Sequence, residues 1–554
     1  MLFSSISLAD LDVQEVGMIT NNSSSVAQGD AILVDVAPRE IGEQGGASKG
    51  VDPNEKHLNT DHLLGDLKGR TIFGTFVTIA AQAVKFLLNL AFIMALARLL
   101  SPKDFGLYAM VTTIMGFLWI FQDIGLSTAT VQRQKISHTQ VSNLFWVNVG
   151  VGSLVTLVVA ASAPVIAWFY REPRLVGITL VLSVTFLLTT SAVQHIALLN
   201  RQMRFGAIAI IEIASVLGSY LTGVGMALSG YGYWALVGAN VMQVVVRLVL
   251  SWSISRWLPR LPSRNAQTRH LLSFGANITI GNLINTLARG LDNVLIGRFF
   301  GPVPVGLYSR ASILLMRPLE QFTLPINAVL IPTLSRVQTE PERYRRTFLR
   351  VYEAMALVSF LCTGFLLALA RPLTLFVLGP KWEQAVPIFA GFTIAALWVP
   401  LTGASTWLFQ TQGRGKDWLF ASMLCSCITI AAFIAGLPFG PVGLATAYST
   451  AGLLFGTPAV FYFAGRRGPV TTADLWSAIF RYVPLWIVVC SVTWLVRLPL
   501  VNSRPLVQLV VSAPIGLFAG AILICVVPPM RRVAFSLVEI LLEMKSRISF
   551  FNAK

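Results

Sequence analysis

The chain reads as an all-α polytopic membrane protein of about fourteen transmembrane helices, built as two six-helix lobes with a parallel pseudo-twofold repeat plus two C-terminal helices. Three observations predict this. The 554 residues are 55% hydrophobic and only 12% charged, with a mean hydropathy of +0.69, whereas ordinary soluble domains carry about 25% charged residues. Long apolar runs recur from residue 71 to residue 530. A segment close to residue 100 returns close to residue 300.

The apolar runs set the spans. A run of ~18 or more apolar residues with few charges is long enough to cross the hydrocarbon core. Inside that core each span must satisfy its own backbone, which makes it a helix. The expected spans are 71–97, 107–129, 143–169, 175–199, 207–229, 233–254, 271–296, 306–331, 351–377, 385–409, 418–437, 441–464, 477–497 and 506–528.

Charge in the connections sets the orientation. Loops after even-numbered spans, with the C-terminal tail, hold 22 Lys and Arg, among them Arg133, Arg204, Arg260, Arg345, Arg414 and Arg466. Loops after odd-numbered spans hold five, Lys103, Arg171, Arg174, Lys381 and Arg504, and only nine when the boundary residues Arg98, Arg298, Arg371 and Arg497 are added. Basic residues stay on the cytoplasmic side, so both termini are expected there and the span count should be even. All loops are short, and none is long enough to fold as a separate domain.

Residues 1–70 differ from the rest: eleven Asp/Glu against five Lys/Arg give −6, while the whole chain is +17. Their polar, aperiodic composition predicts a disordered acidic cytoplasmic tail. The expected division is then an N-lobe over 71–254, a C-lobe over 271–464, two further helices over 477–528 and a basic tail over 529–554.

The repeat supports two lobes. Residues 98–108 read RLLSPKDFGLY and residues 298–308 read RFFGPVPVGLY, with Arg, Pro, Gly, Leu and Tyr matching at an offset of 200. A weaker echo joins SGYGYWALVGA (229–239) to FGPVGLATAYS (439–449). Six helices per lobe is an even number, so the lobes share one topology about an axis along the membrane normal, as in parallel-repeat transporters that alternate access around a central cavity.

Polar residues inside spans are the candidate site. The first span carries Gln82, Lys85 and Asn89, and the seventh carries Asn282, Asn285 and Arg289, then Asp292. Spacings of three and four place each set on one helical face, and the offset of 200 maps 82, 85 and 89 onto 282, 285 and 289. The eighth span adds Arg310, Arg317, Glu320 and Gln321; the second adds Asp123, the fourth His195 and the fifth Glu212. A cation at the bilayer centre costs ~2.5–3.5 kcal/mol on insertion scales, so each needs a partner or water. Lys85, Arg289 and Arg317 predict a hydrated cavity with a cationic bias, suited to an anionic substrate because Lys and Arg bind phosphate oxygens through charge-assisted hydrogen bonds. Asp123, Asp292, Glu320 and Glu212 are candidates for ion coupling or for pairing that only holds helices together. Arg98 and Arg298, at helix ends, are expected to snorkel to the interface.

The five cysteines, Cys362, Cys425, Cys427, Cys490 and Cys525, fall inside apolar runs and read as small packing residues. The histidines lack metal-ligand spacing, and no GxxxxGK[ST] loop occurs. No catalytic residue, metal or cofactor is expected, and the chain reads as a transporter rather than an enzyme.

The segment RLLSPKDFGLY after a first span resembles the polysaccharide-unit (O-antigen/exopolysaccharide) flippases of the multidrug/oligosaccharidyl-lipid/polysaccharide exporter superfamily. LLNRQMRFGAIAIIEI (198–213), GYGYWALV (230–237) and RFFGPVPVGLYSRA (298–311) strengthen the resemblance, which covers residues 70–530. It implies an undecaprenyl-diphosphate-linked glycan moved from the cytoplasmic to the periplasmic leaflet for exopolysaccharide or lipopolysaccharide assembly, beside a polymerase/co-polymerase complex. The helix count also resembles the lipid II flippase, whose extra helix pair suggests a groove for a lipid tail. The alternative is an ion-coupled multidrug or metabolite antiporter of the same superfamily, which would favour an acidic cavity.

Overall fold

A computed structural model describes residues 67–122, 126–132, 136–262 and 290–536. The described residues are helical throughout and contain no strand. Ten helical stretches among them are long and apolar enough to cross a membrane. The N-lobe holds α1 (Leu67–Leu99), α2 (Pro102–Leu118), α3 (Leu126–Gln132), α4 (His138–Tyr170), α5 (Leu175–Arg201), α6 (Phe205–Leu228) and α7 (Trp234–Ser255). The C-lobe holds α8 (described over 290–300), α9 (Pro302–Arg336), α10 (Pro341–Ala368), α11 (Ala370–Leu378), α12 (Val386–Thr411), α13 (Gly415–Gly436), α14 (Gly440–Ala451) and α15 (Thr457–Gly465). Then follow α16 (Thr472–Arg497) and α17 (Pro505–Val526).

Local chemistry starts these helices where the sequence changes character. Ser101 and Asp104 form a reciprocal capping box on α2, with Pro102 in its first turn. Ser137 with Gln140 does the same for α4, and Thr471 with Asp474 for α16. Each box satisfies backbone donors that helix geometry leaves open. Gly301, at φ +83°, turns the chain so that Pro302 opens α9, a backbone setting that suits glycine.

Three expected spans are interrupted. The second stops at Leu118, passes a 3₁₀ turn over Trp119–Gln122 and resumes as α3. The ninth divides at Leu369 into α10 and the short α11, where Pro372 cannot donate to the preceding turn. The twelfth contains a π turn at Gly452–Gly456 between α14 and α15. Hydropathy cannot report such breaks, because none of them makes the chain less apolar.

Within the N-lobe α4 packs on α5, α6 on α7 and α1 on α6; α12 packs on α9 and α14, and α16 joins α10 and α17. One core cluster contains residues of both lobes, including Leu96, Phe105, Met110, Tyr170, Val305, Tyr308 and Trp382. A second, around Tyr344, Tyr352, Trp407 and Tyr482, ties α16 to the C-lobe.

The lobes meet where α2 crosses α9, and the contact is reciprocal across the repeat. A Cβ on Gly106 would fall well inside van der Waals distance of the Pro302 carbonyl oxygen. A Cβ on Gly306 would do the same to the Pro102 carbonyl oxygen. Residues 102 and 106 map onto 302 and 306, so repeat-related residues touch each other's partners. Small residues let two membrane helices approach this closely.

The surrounding contacts belong to the same end of the bundle. The buried Trp382 donates its indole N–H to the Ala97 carbonyl at 2.8 Å and meets Phe105 edge-on at 5.3 Å. Arg98 donates to the Phe376 carbonyl at 3.0 Å, and Lys381 donates to the Arg98 carbonyl at 3.3 Å. Arg298 lies 5.8 Å over the Phe169 ring, and Arg310 lies 4.7 Å over that of Phe105. Arg98 and Arg298 therefore each reach across to the other lobe, a role beyond snorkelling.

Candidate functional site

The polar stripe of α1 faces α6. Lys85 Nζ donates to Glu212 Oε2 at 2.7 Å. Arg247, on α7, approaches the other oxygen, Glu212 Oε1, at 3.1 Å. The Arg247 Nε is buried with no hydrogen-bond partner among the described residues. One carboxylate thus binds two cations from two different helices, and the cluster carries a net charge of +1. Burying a lone charge at this depth would be costly, and the pairing removes most of that cost.

One turn further along α1, Asn89 donates to the Lys85 carbonyl and accepts a hydrogen bond from the Tyr220 hydroxyl. The Tyr220 ring stacks on Phe92 at 3.9 Å. These contacts hold the α1 backbone against α6.

Beside the ion cluster lies a groove of about 170 Å³, lined by Thr78, Gln82 and Lys85 of α1, Asn200 at the end of α5, and Phe205, Ile208 and Glu212 of α6. Its walls are apolar except for the amides, the hydroxyl and the charged pair. Enclosed pockets for drug-sized ligands run to ~300–1,000 Å³, so this groove fits one polar group of a larger molecule rather than the whole. An anion entering it meets the Lys85 ammonium and the amide donors of Gln82 and Asn200.

The structure brings Gln82, Lys85 and Glu212 together and sets Asn89 one turn away. Asn282, Asn285, Arg289 and Asp123 lie outside the described residues, as do the side chains of Arg317 and Glu320 on α9. Asp292, on α8, accepts from the Tyr308 hydroxyl at 3.0 Å and from the Asn293 backbone N–H at 2.7 Å, within the C-lobe. His195 is buried in the N-lobe core, stacked on Trp252 at 4.4 Å and flanked by Phe145 and Trp257, away from the groove. Arg247 was not among the expected site residues. Its signal was present, since it is the one charge in the run VMQVVVRLVL.

Other ion pairs serve the C-lobe and its neighbours. Arg345 binds Asp474 through two hydrogen bonds at 2.6 and 3.0 Å. Asp417 is bound by both Arg414 and Arg466, and Arg481 pairs with Glu353. These pairs join neighbouring helices, and none of them lines the groove.

Comparison with known proteins agrees with this architecture. The family described as polysaccharide biosynthesis protein matches residues 95–387. The teichuronic acid biosynthesis protein TuaB of Bacillus subtilis (strain 168) is 28% identical over 303 residues, which are 54% of this chain and 62% of TuaB. This chain thus spans just under two thirds of that relative's length. The lipopolysaccharide biosynthesis protein WzxC of Escherichia coli (strain K12) is 26% identical over 60% of this chain and 68% of its own. The succinoglycan biosynthesis transport protein ExoT of Rhizobium meliloti (strain 1021) is 25% identical over 61% and 68%. Among solved structures, the lipid II flippase MurJ in an inward closed conformation superposes with a TM-score of 0.64 at 14% identity, over 82% of this chain and 98% of MurJ. An inward-facing multidrug resistance MATE transporter of the MOP superfamily gives 0.55 at 13%, over 71% and 96%. At these identities the structural likeness establishes the fold alone. With its family pattern covering more than half of its length, across both lobes and the seam between them, this chain belongs to the polysaccharide biosynthesis protein family.

Proposed function

We propose that this protein flips lipid-linked oligosaccharide repeat units, carried on undecaprenyl diphosphate, from the cytoplasmic to the periplasmic leaflet of a bacterial inner membrane. The observation that carries this reading is the reciprocal α2–α9 seam, in which Gly106 and Gly306 bring two repeat-related lobes into contact. A seam between two lobes of one topology is what alternating access requires, because each lobe can rock against the other. Its relatives WzxC, ExoT and TuaB are proteins of lipopolysaccharide biosynthesis, succinoglycan biosynthesis transport and teichuronic acid biosynthesis. The groove beside Lys85 supplies a cation and amide donors for a phosphoryl group.

The charge bias of the loops puts α1–α2 and α8–α9 connections on the periplasmic side and both termini in the cytoplasm. The seam then closes the periplasmic end. The two lobes correspond to 71–254 and 271–464, with α16 and α17 beside the C-lobe. Asn282, Asn285, Arg289 and Arg317 are the C-lobe counterparts offered to the same anion, and Asp123, Asp292 and Glu320 remain the carboxylates offered for coupling. Delivery to a polysaccharide polymerase is the step that consumes the product. The antiporter alternative has no comparable support, since likeness to MATE transporters is confined to the fold and the ion cluster beside the groove is net positive rather than acidic.

The test is the leaflet distribution of the undecaprenyl-linked repeat unit in a strain lacking the gene, complemented by the natural protein or by Lys85→Ala at matched membrane levels. The reading expects the intermediate to accumulate on the cytoplasmic face in the deletion and with Lys85→Ala. An unchanged distribution in the deletion strain would sink it.

A further inference from the structure

We infer that Lys85 is a switchable cation, handed from Glu212 to the substrate's diphosphate, and that Arg247 holds Glu212 while Lys85 is away. This rests on the flippase reading above. Three features of the cluster support it. First, the two cations approach different oxygens of the same carboxylate. Lys85 takes Oε2, and both residues line the groove. Arg247 takes Oε1, and it is absent from the groove lining. An anion in the groove therefore meets Lys85, while Arg247 stays with Glu212.

Second, the bonding is unequal. Lys85 makes a short, aligned hydrogen bond at 2.7 Å. Arg247 sits 3.1 Å from Glu212 Oε1 as an ion pair, and among the described residues its Nε has no hydrogen-bond partner. Arg247 has donors in reserve, so it can tighten on Glu212 when Lys85 leaves. The exchange then leaves no charge of the cluster unpaired.

Third, lysine suits the moving part and arginine the fixed one. An ammonium on a four-carbon stem can swing between acceptors, whereas a planar guanidinium holds one geometry. Asn89 and Tyr220 fix the α1 backbone at the base of that stem. Glu212 occupies the substrate's place when the groove is empty, and it recaptures Lys85 when the substrate leaves. Glu212 and Arg247 are thus positioning residues that set how easily the diphosphate is released.

The experiment measures binding of farnesyl diphosphate to the purified full-length chain in lipid nanodiscs, with farnesol as the control for tail binding. Glu212→Gln removes the competitor and should tighten diphosphate binding by roughly tenfold, the factor set by about 1.4 kcal/mol, while slowing export. Arg247→Gln leaves Glu212 to claim Lys85 and should weaken binding by a similar factor. The double variant Glu212→Gln/Arg247→Gln should bind as tightly as Glu212→Gln alone, because Lys85 is again free to turn. A double variant as weak as Arg247→Gln would overturn the inference, since Arg247 would then touch the ligand itself. Equal affinity in all four proteins would also overturn it. Should Glu212→Gln fail to reach the membrane, Arg247→Gln against the natural protein decides the matter, and unchanged affinity counts against the switch. Failure here is distinguishable from failure of the flippase reading, which is decided by leaflet distribution in the deletion strain.

Discussion

The seam between α2 and α9 and the groove between α1 and α6 are both contacts between helices of one bundle, yet they are made of opposite materials. The seam is glycine, proline and buried aromatic rings, closed to the point that a single methyl group has no room. The groove is open, and amides and a shared carboxylate line it. Close-packed apolar surfaces have few alternative arrangements, whereas partly exposed ion pairs contribute little stability and exchange partners readily. On the flippase reading the difference separates two tasks: the seam joins the lobes, and the groove in the N-lobe meets the anionic group of the substrate.

Four measurements break or sharpen that contrast. The largest effect is expected at the seam's anchor. Trp382→Ala removes a fully buried ring and its bond to Ala97, and thermal unfolding of the purified protein should show a loss of roughly 3–5 kcal/mol. Gly106→Leu should follow, with about 1–3 kcal/mol from overpacking and loss of export, and Gly306→Leu should match it because the contact is reciprocal. Leucine tolerated at both positions would show that the seam is looser than its geometry.

Lys85→Met tests the other side of the comparison. Removing one partner of a half-exposed pair should change stability by less than about 1 kcal/mol, while export falls several-fold at unchanged protein level. A drop in stability as large as that of Trp382→Ala would make Lys85 a structural staple and erase the contrast.

The smallest effect on export is expected outside both regions. Asp474→Ala deletes half of the α16 capping box and should cost about 1 kcal/mol with export kept. The Arg345 guanidinium, which donates two hydrogen bonds to Asp474, holds its carboxyl below the usual carboxylate range. A depressed folded-state pKa means the contribution is complete above the unfolded value of about 3.9 and fades as pH falls through the lowered one. Acid unfolding of Asp474→Ala and of the natural protein should therefore converge at low pH.

Most of the architecture was legible because its causes are local. A helix in lipid must satisfy its own backbone, so the length of an apolar run already determines a span. The repeat was legible because both lobes keep the residues their crossing needs: Pro102 and Gly106 return as Pro302 and Gly306. The breaks at Trp119, Leu369 and Gly452 were not legible, because a 3₁₀ turn, a single non-helical residue or a π turn leaves hydropathy unchanged.

The candidate site divides along the same line. Helical spacing alone put Gln82, Lys85 and Asn89 on one face of α1, and the insertion cost of a charge alone marked Lys85 and Glu212 as needing partners; the same cost applies to Arg247, which was not among the expected site residues. Which partner each one takes depends on how α1, α6 and α7 pack, and the charges come from positions 127 and 35 residues apart along the chain. Only the tertiary structure could decide that one carboxylate serves two cations, or that Arg98 reaches the opposite lobe rather than the lipid interface. Coulomb attraction acts through space, and sequence records only distance along the chain.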